Sequence, residues 1–177
     1  ALTSSSSHWN VGAWTIGSTV DDIDFINTVI NLINDKAVIN KNRIYSSGMS
    51  NGGFMSYNLA CNLSSRIAAI VSVTGSFSTE MLADCNPEHP TPVMQIHGAL
   101  DPTVPFDGNS ALGMVPIETT LEFWSDYNLC NPVPDLQIID FFDLGISVDH
   151  QTYKDCQNDV RVELFKSSGM AHTWPIE

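Results

Sequence analysis

Apolar residues recur at helical spacing between Val20 and Lys36. Ile23, Ile26, Ile30 and Ile33 form a stripe that Phe25, Val29 and Leu32 broaden, the pattern of a helix with one face on a core. Asp21 and Asp22 fall in its first turn, where negative charge suits the helix dipole. The pattern then shortens. Arg43 to Ser47 reads as a strand and Phe54 to Ala60 as a helix. Ile67 to Thr74 is a continuous apolar run of strand length, as in a strand buried in a parallel sheet. Pro92 to His97 reads as another short strand, and Ile117 to Tyr127 as a helix with Leu121 and Trp124 on one face. Val160 to Phe165 alternates and reads as a strand near a sheet edge. Residues 1–19 read as irregular, and the Pro- and Asp-rich stretch 128–150 carries no clear period. Strands separated by helices predict an α/β fold around a parallel sheet.

Composition narrows the function classes. The 177 residues suit one domain with a real core, and no apolar run approaches the length of a membrane span. The N-terminus has no secretory signal pattern, which a trimmed chain would lack as well. Net charge is −13, from 7 basic and 20 acidic residues. Nucleic acid and anionic membranes are therefore disfavoured partners, because both are bound by clustered Lys and Arg. The four cysteines, Cys61, Cys85, Cys130 and Cys156, form no C-x-x-C pair, which disfavours a zinc site. An even count at wide spacing fits two disulfides and an exported protein, secreted or periplasmic. Three connectivities are open, with the sequential pairs Cys61–Cys85 and Cys130–Cys156 preferred; buried free thiols are the alternative.

The chemistry centres on Gly48-Met49-Ser50-Asn51-Gly52-Gly53. This is a G-x-S-x-G motif between a predicted strand and a predicted helix, the setting of a nucleophile elbow. A serine hydroxyl is a weak nucleophile. It needs a base to take its proton and an acid to orient the base. Asp101, in His97-Gly98-Ala99-Leu100-Asp101-Pro102, follows a predicted buried strand. His172, in Gly169-Met170-Ala171-His172-Thr173-Trp174-Pro175, follows the last one. Both then sit at the carboxyl edge of the sheet, where α/β active sites lie. The chain order Ser50, Asp101, His172 is that of α/β-hydrolases. His8, His89 and His150 are weaker candidates for the base. His97 breaks the chain order and reads either as a residue supporting the catalytic ones from behind or, like Trp174, as one shaping the substrate pocket; for Trp174 a core role is as good a reading.

Val20-Asp21-Asp22-Ile23-Asp24-Phe25-Ile26, the GMSNGG block at 48–53, HGALDPTVPFDG at 97–108 and GMAHTWP at 169–175 together resemble the polyhydroxybutyrate-depolymerase-type esterases, which include feruloyl and related carbohydrate esterases. The resemblance covers most of residues 9–175. It implies an α/β-hydrolase-like parallel sheet with flanking helices, with Ser50 as nucleophile, Asp101 as acid, His172 as base and the Asn51 N–H as an oxyanion donor. Cys130 and Cys156 also match a paired position in these proteins. The pattern departs at both ends. The loop that carries a second oxyanion donor, and the early strands, would precede Ala1; family members also continue beyond Glu177. The expectation is thus residues 1–177 as a single domain lacking the N-terminal strands. The Ile44 strand becomes an open edge that invites a second copy or a partner segment.

The function expected is hydrolysis of carboxylic esters through an acyl-enzyme, with no metal or organic cofactor. The substrate is a polyester, a feruloylated sugar or a short-chain ester. The alternative is a weak or inactive fragment that serves as a binding or assembly module. A peptidase or acyltransferase with the same three residues is a third reading.

Overall fold

The computed structural model describes residues 8–12, 15 and 18–175. Parts of the predicted irregular segment (1–7, 13–14 and 16–17) and the last two residues lie outside them. The elements in chain order are α1 (Asp22–Lys36), β1 (Tyr45–Met49), α2 (Asn51–Asn62), β2 (Ala69–Val73), α3 (Thr79–Asp84), β3 (Val93–Gly98), α4 (Ile117–Tyr127), β4 (Asp135–Phe141), β5 (Ile146–Tyr153) and β6 (Val162–Ser167). The strands form one sheet in the order β1-β2-β3-β6-β5-β4. β1, β2, β3 and β6 run parallel. The β4–β5 hairpin extends the sheet antiparallel, through β5 against β6.

Local chemistry explains the element ends. Asp21 caps α1, its carboxylate accepting from the Asp24 N–H at 2.9 Å, and Ser78 caps α3 through the Met81 N–H. Such caps satisfy donors that the first helical turn leaves unpaired. The α1 stripe is only partly used. Ile30 is buried and Ile23 and Ile26 pack on the core, but Phe25, Leu32 and Ile33 are about half exposed. β6, which its alternation places near a sheet edge, is the third strand in from the β4 edge. It lies between β3 and β5, with Val162 and Leu164 fully buried and Phe165 half-buried. Alternation there reflects one face packed on helices and the other partly open, a property of faces rather than of edges.

The packed face joins Ile70, Val93, Val162 and Leu164 to Phe54, Tyr57, Phe77, Leu121 and Trp124. Tyr57 meets Phe77 edge-on at 5.0 Å between ring centroids, and Phe77 meets Trp124 at 6.0 Å. Two disulfides fasten the periphery: Cys61–Cys85 ties α2 to the end of α3, and Cys130–Cys156 ties the chain after α4 to the chain after β5. Each closes a loop of about 25 residues, which in the chain-entropy account stabilises the fold by about 3 kcal/mol. At the other side of the sheet, β1 is the outer strand. It pairs with β2 alone among the described residues, with Tyr45 and Ser47 exposed.

Candidate active site

Ser50 occupies the turn between β1 and α2 with φ 55° and ψ −121°. A non-glycine residue at positive φ is strained, and neighbouring contacts hold it there. The Ser50 N–H donates to the Val73 carbonyl at 2.8 Å, and the Ser50 carbonyl accepts from Gly53 and Phe54. Gly48 and Gly53 make the turn feasible. A Cβ on Gly48 would lie 2.5 Å from the Gly52 backbone, and one on Gly53 would lie 3.0 Å from Gly75 Cα. Asn51 opens α2, so its N–H has no intrahelical acceptor and is available to a ligand.

Asp101 lies just beyond β3 and is buried. Its Oδ1 accepts from the N–H groups of Thr103 and Val104 at 2.8 and 2.9 Å. Its Oδ2 faces His172 Nδ1 at 2.9 Å. The carboxylate therefore sets the His172 tautomer: Nδ1 carries the proton and Nε2 is left bare. The loop bearing His172 is laid onto the end of β3. Ala99 N–H donates to Ser167 and Leu100 N–H to Met170. Gly98 is required by this approach, because a Cβ there would run into the Met170 carbonyl.

The topology brings the three residues to one edge of the sheet, since β1, β3 and β6 are parallel and each residue follows its strand. Asp101 and His172 are joined directly. Among the described residues no hydrogen bond links the Ser50 hydroxyl to His172, and such bonds commonly tighten only when substrate binds. His172 retains about a fifth of its side-chain surface, while the Asp101 carboxylate has none. That burial pattern leaves the imidazole reachable and its orienting charge shielded from water.

Trp174 and His97 differ in burial. Trp174 is 43% exposed. His97 is fully buried beneath the acid turn, so it does not line an open pocket. Beside the His172 loop is an apolar cleft of about 640 Å³, lined by Ile96, Phe141, Ile146, Phe165, Met170 and Thr173 among others. Phe141 and Ile146 come from the stretch without readable period; alternation in 135–141 and 146–153 is blurred because neither face of that hairpin is well buried. Of the other histidines, His89 bridges the Ser64 and Pro90 carbonyls. His150 stacks on Phe165 and pairs with Glu163 at 2.8 Å. Neither has Asp101 or His172 among its hydrogen-bond partners in the described residues. Among the described residues no group of three or more His, Cys, Asp or Glu could hold a metal ion.

The profile of the phospholipase/carboxylesterase family matches residues 19–123, more than half the chain. The chain belongs to this family. Among curated relatives, feruloyl esterase B of Piromyces equi is 26% identical over 173 residues, covering 93% of this chain and 31% of that protein. The putative esterase NocK of Nocardia uniformis subsp. tsuyamanensis is 33% identical over 107 residues, covering 56% of this chain and 31% of that protein. The chain thus spans about a third of the length of these relatives. Among solved structures, acetyl xylan esterase from Aspergillus awamori superposes with TM-score 0.63 at 13% identity, over 96% of this chain and 69% of that one. Esterase PE8 superposes with TM-score 0.53 at 21% identity, over 85% and 52%. At these identities the likeness is one of fold, and the fold of this family member is that of the α/β-hydrolases.

Proposed function

We propose that this chain carries the catalytic residues of a serine esterase. His172 Nε2 takes the Ser50 proton as the serine oxygen attacks the ester carbonyl. The Asn51 N–H stabilises the oxyanion, and Asp101 stabilises the imidazolium. The alcohol leaves with the proton held by His172. Water, deprotonated by the same imidazole, then releases the acid from the acyl-enzyme. The observation that carries this reading is the Asp101–His172 hydrogen bond at the sheet edge that also bears the strained Ser50 turn. The similarity to feruloyl esterase B and to NocK supports ester rather than peptide chemistry.

The proposed substrates are uncharged esters with an apolar or aromatic acyl group: feruloylated sugars, polyesters or short-chain esters. The apolar cleft next to the His172 loop suits such a group, and the −13 charge disfavours acidic ones. The two disulfides support export to an oxidising compartment. Pairing of the outer β1 edge, which among the described residues meets β2 alone, with a second copy or a partner segment is part of the same proposal, tested by sedimentation velocity against Ser47→Lys.

Hydrolysis of p-nitrophenyl acetate and butyrate, beside Ser50→Ala, tests the activity. Turnover that vanishes in the variant is expected, together with labelling of Ser50 by a fluorophosphonate. Neither turnover nor labelling in the folded chain would favour the alternative, a binding or assembly module.

A further inference from the structure

The catalytic reading above leaves unused a chain of buried polar groups under the site. Gln95 and His97 are two apart on β3, so their side chains share the face turned toward the helices. Tyr57 reaches them from α2. All three are completely buried. The Tyr57 hydroxyl donates to Gln95 Oε1 at 2.8 Å. Gln95 Nε2 lies 2.8 Å from the Gly75 carbonyl and 2.8 Å from His97 Nδ1. His97 Nε2 lies 2.8 Å from the Val104 carbonyl.

Carbonyls at both ends fix the direction of every bond. The Gly75 carbonyl can only accept, so the nitrogen of the Gln95 amide must face it. The same nitrogen donates to His97 Nδ1, which must then be bare. The ring proton therefore sits on Nε2 and is given to the Val104 carbonyl. Val104 is also one of the two residues whose N–H groups hold Asp101 Oδ1. His97 Nε2 is 3.6 Å from Asp101 Oδ2, beyond hydrogen-bond distance. Among the described residues the hydrogen-bond partner of that oxygen is His172.

We propose that His97 is a positioning residue for Asp101: its Nε2–H, oriented by the Tyr57–Gln95 relay, clamps the Val104 carbonyl and fixes the turn that presents the carboxylate to His172. The proposal rests on the reading of Asp101 and His172 as the orienting acid and base. A neutral His97 matters because an imidazolium there would compete with His172 for the carboxylate. Burial, first of all, holds the His97 ring below the ordinary histidine range; the Val104 bond and Asp101 act the other way, and His172 and Lys166 add to the lowering. Lys166 lies over the Phe106 ring, which meets the His97 ring edge-on. The Tyr57 hydroxyl, pushed up by its own burial, keeps its proton and remains a donor.

The wild-type protein gives the first test. Two-bond ¹H–¹⁵N NMR of the histidine rings is expected to show His97 with a protonated Nε2 and a bare Nδ1, unchanged from about pH 8 to about pH 5.5 across the usual histidine range. The neutral His172 ring is expected in the opposite tautomer, with Nδ1 protonated and Nε2 bare. A His97 ring that is an Nδ1–H tautomer, or that titrates to the imidazolium in this window, overturns the proposal.

Kinetics on p-nitrophenyl butyrate give the second. His97→Leu removes the clamp, and kcat is expected to fall about 10²-fold, the effect of a small misplacement of a catalytic group. KM should move by less than about threefold, since His97 does not contact substrate. His97→Gln places an amide donor near the position of Nε2 and should restore at least about tenfold of the loss. A folded His97→Leu protein with wild-type kcat, or a His97→Gln protein as impaired as the Leu variant, overturns it. Should the Leu variant fail to fold, the ring spectra decide together with His97→Gln, where a loss of about 10²-fold or more in kcat overturns the proposal. Loss of the catalytic reading itself would show differently, as turnover that persists in Ser50→Ala or as neither turnover nor labelling in the folded wild type, whereas the ring spectra report on His97 in either case.

Discussion

Asn51 grips the backbone of Trp9 with both halves of its amide. Oδ1 accepts from the Trp9 N–H at 2.7 Å and Nδ2 donates to the Trp9 carbonyl at 3.1 Å. The residue after the elbow serine thereby pins a segment 42 positions earlier in the chain. The next residues are held as firmly: Asn10 N–H reaches Asp22, Asn58 donates to the Asn10 carbonyl, and Val11 is buried. Asn51→Ala removes two half-buried hydrogen bonds and should cost about 1–3 kcal/mol. That corresponds to a fall in Tm of roughly 2–10 °C for a chain this size. Asn51→Asp keeps the acceptor but turns a carboxylate oxygen toward the Trp9 carbonyl in place of the donor, so its Tm should fall as well. Thermal unfolding followed by near-UV circular dichroism checks this, and equal Tm values for all three proteins would count against it.

Asp101 holds its turn with one oxygen and His172 with the other. Asp101→Asn separates the two functions. The amide oxygen can still accept from Thr103 and Val104, so the fold and Tm should change little. The amide nitrogen cannot accept from His172, and the imidazole must turn to the tautomer with Nδ1 bare and Nε2 protonated. That form cannot take the serine proton, and kcat should drop by about 10⁴-fold. Stopped assays on p-nitrophenyl butyrate are the check. A loss below about tenfold would mean that the carboxylate does not act through the tautomer.

Two glycines near the site should respond in opposite senses. A Cβ on Gly98 would meet the Met170 carbonyl and the Ala171 oxygen, both backbone, while one on Gly52 meets nothing within 4 Å. Gly98→Ala must push the His172 loop off the end of β3, so activity and Tm should both fall. Gly52→Ala lies in α2 and should gain about 0.5–1 kcal/mol of stability from helix propensity. Paired urea titrations of the two variants measure both signs. A Gly98→Ala protein as active as wild type would show that the loop has room the geometry denies it.

The parts of this fold legible in the sequence are those where one local rule governs. The stripe around Ile30, the apolar run at 67–74 and the G-x-S-x-G turn each carry their own signal, and the structure puts α1, β2 and the Ser50 elbow there. The helix α3 was not read, because six residues with a single buried apolar position, Met81, give no period to detect. The β4–β5 hairpin escaped for a related reason: Leu136, Ile138 and Phe141 stay exposed, so hydrophobicity does not mark a face. For His97 the sequence says only that it precedes Asp101 and so breaks the chain order, which leaves a supporting role and a pocket role equally open. Only the third dimension shows Tyr57, from a helix 38 residues before Gln95, completing the buried relay that encloses it. Chain order alone cannot reveal what a side chain is hydrogen-bonded to.

That buried ring also has a consequence for stability against pH. Burial lowers the His97 proton affinity in the folded protein below its ordinary value near 6.5. Between the lowered value and about 6.5, the unfolded chain therefore binds more protons at this site than the folded one. Stability must rise with pH across that window and be lost as pH falls through it. Other groups also titrate there, so the informative quantity is a difference. His97→Gln removes the ring and keeps a donor to Val104. Urea midpoints at about pH 7.5 and about pH 5.5, on either side of the free histidine value, should move down more for wild type than for His97→Gln. The variant is expected to be the less stable at the higher pH and to close part of the gap at the lower one. Parallel midpoints for the two proteins would mean that the folded ring takes up its proton as readily as the unfolded one, and that the relay does not hold it neutral.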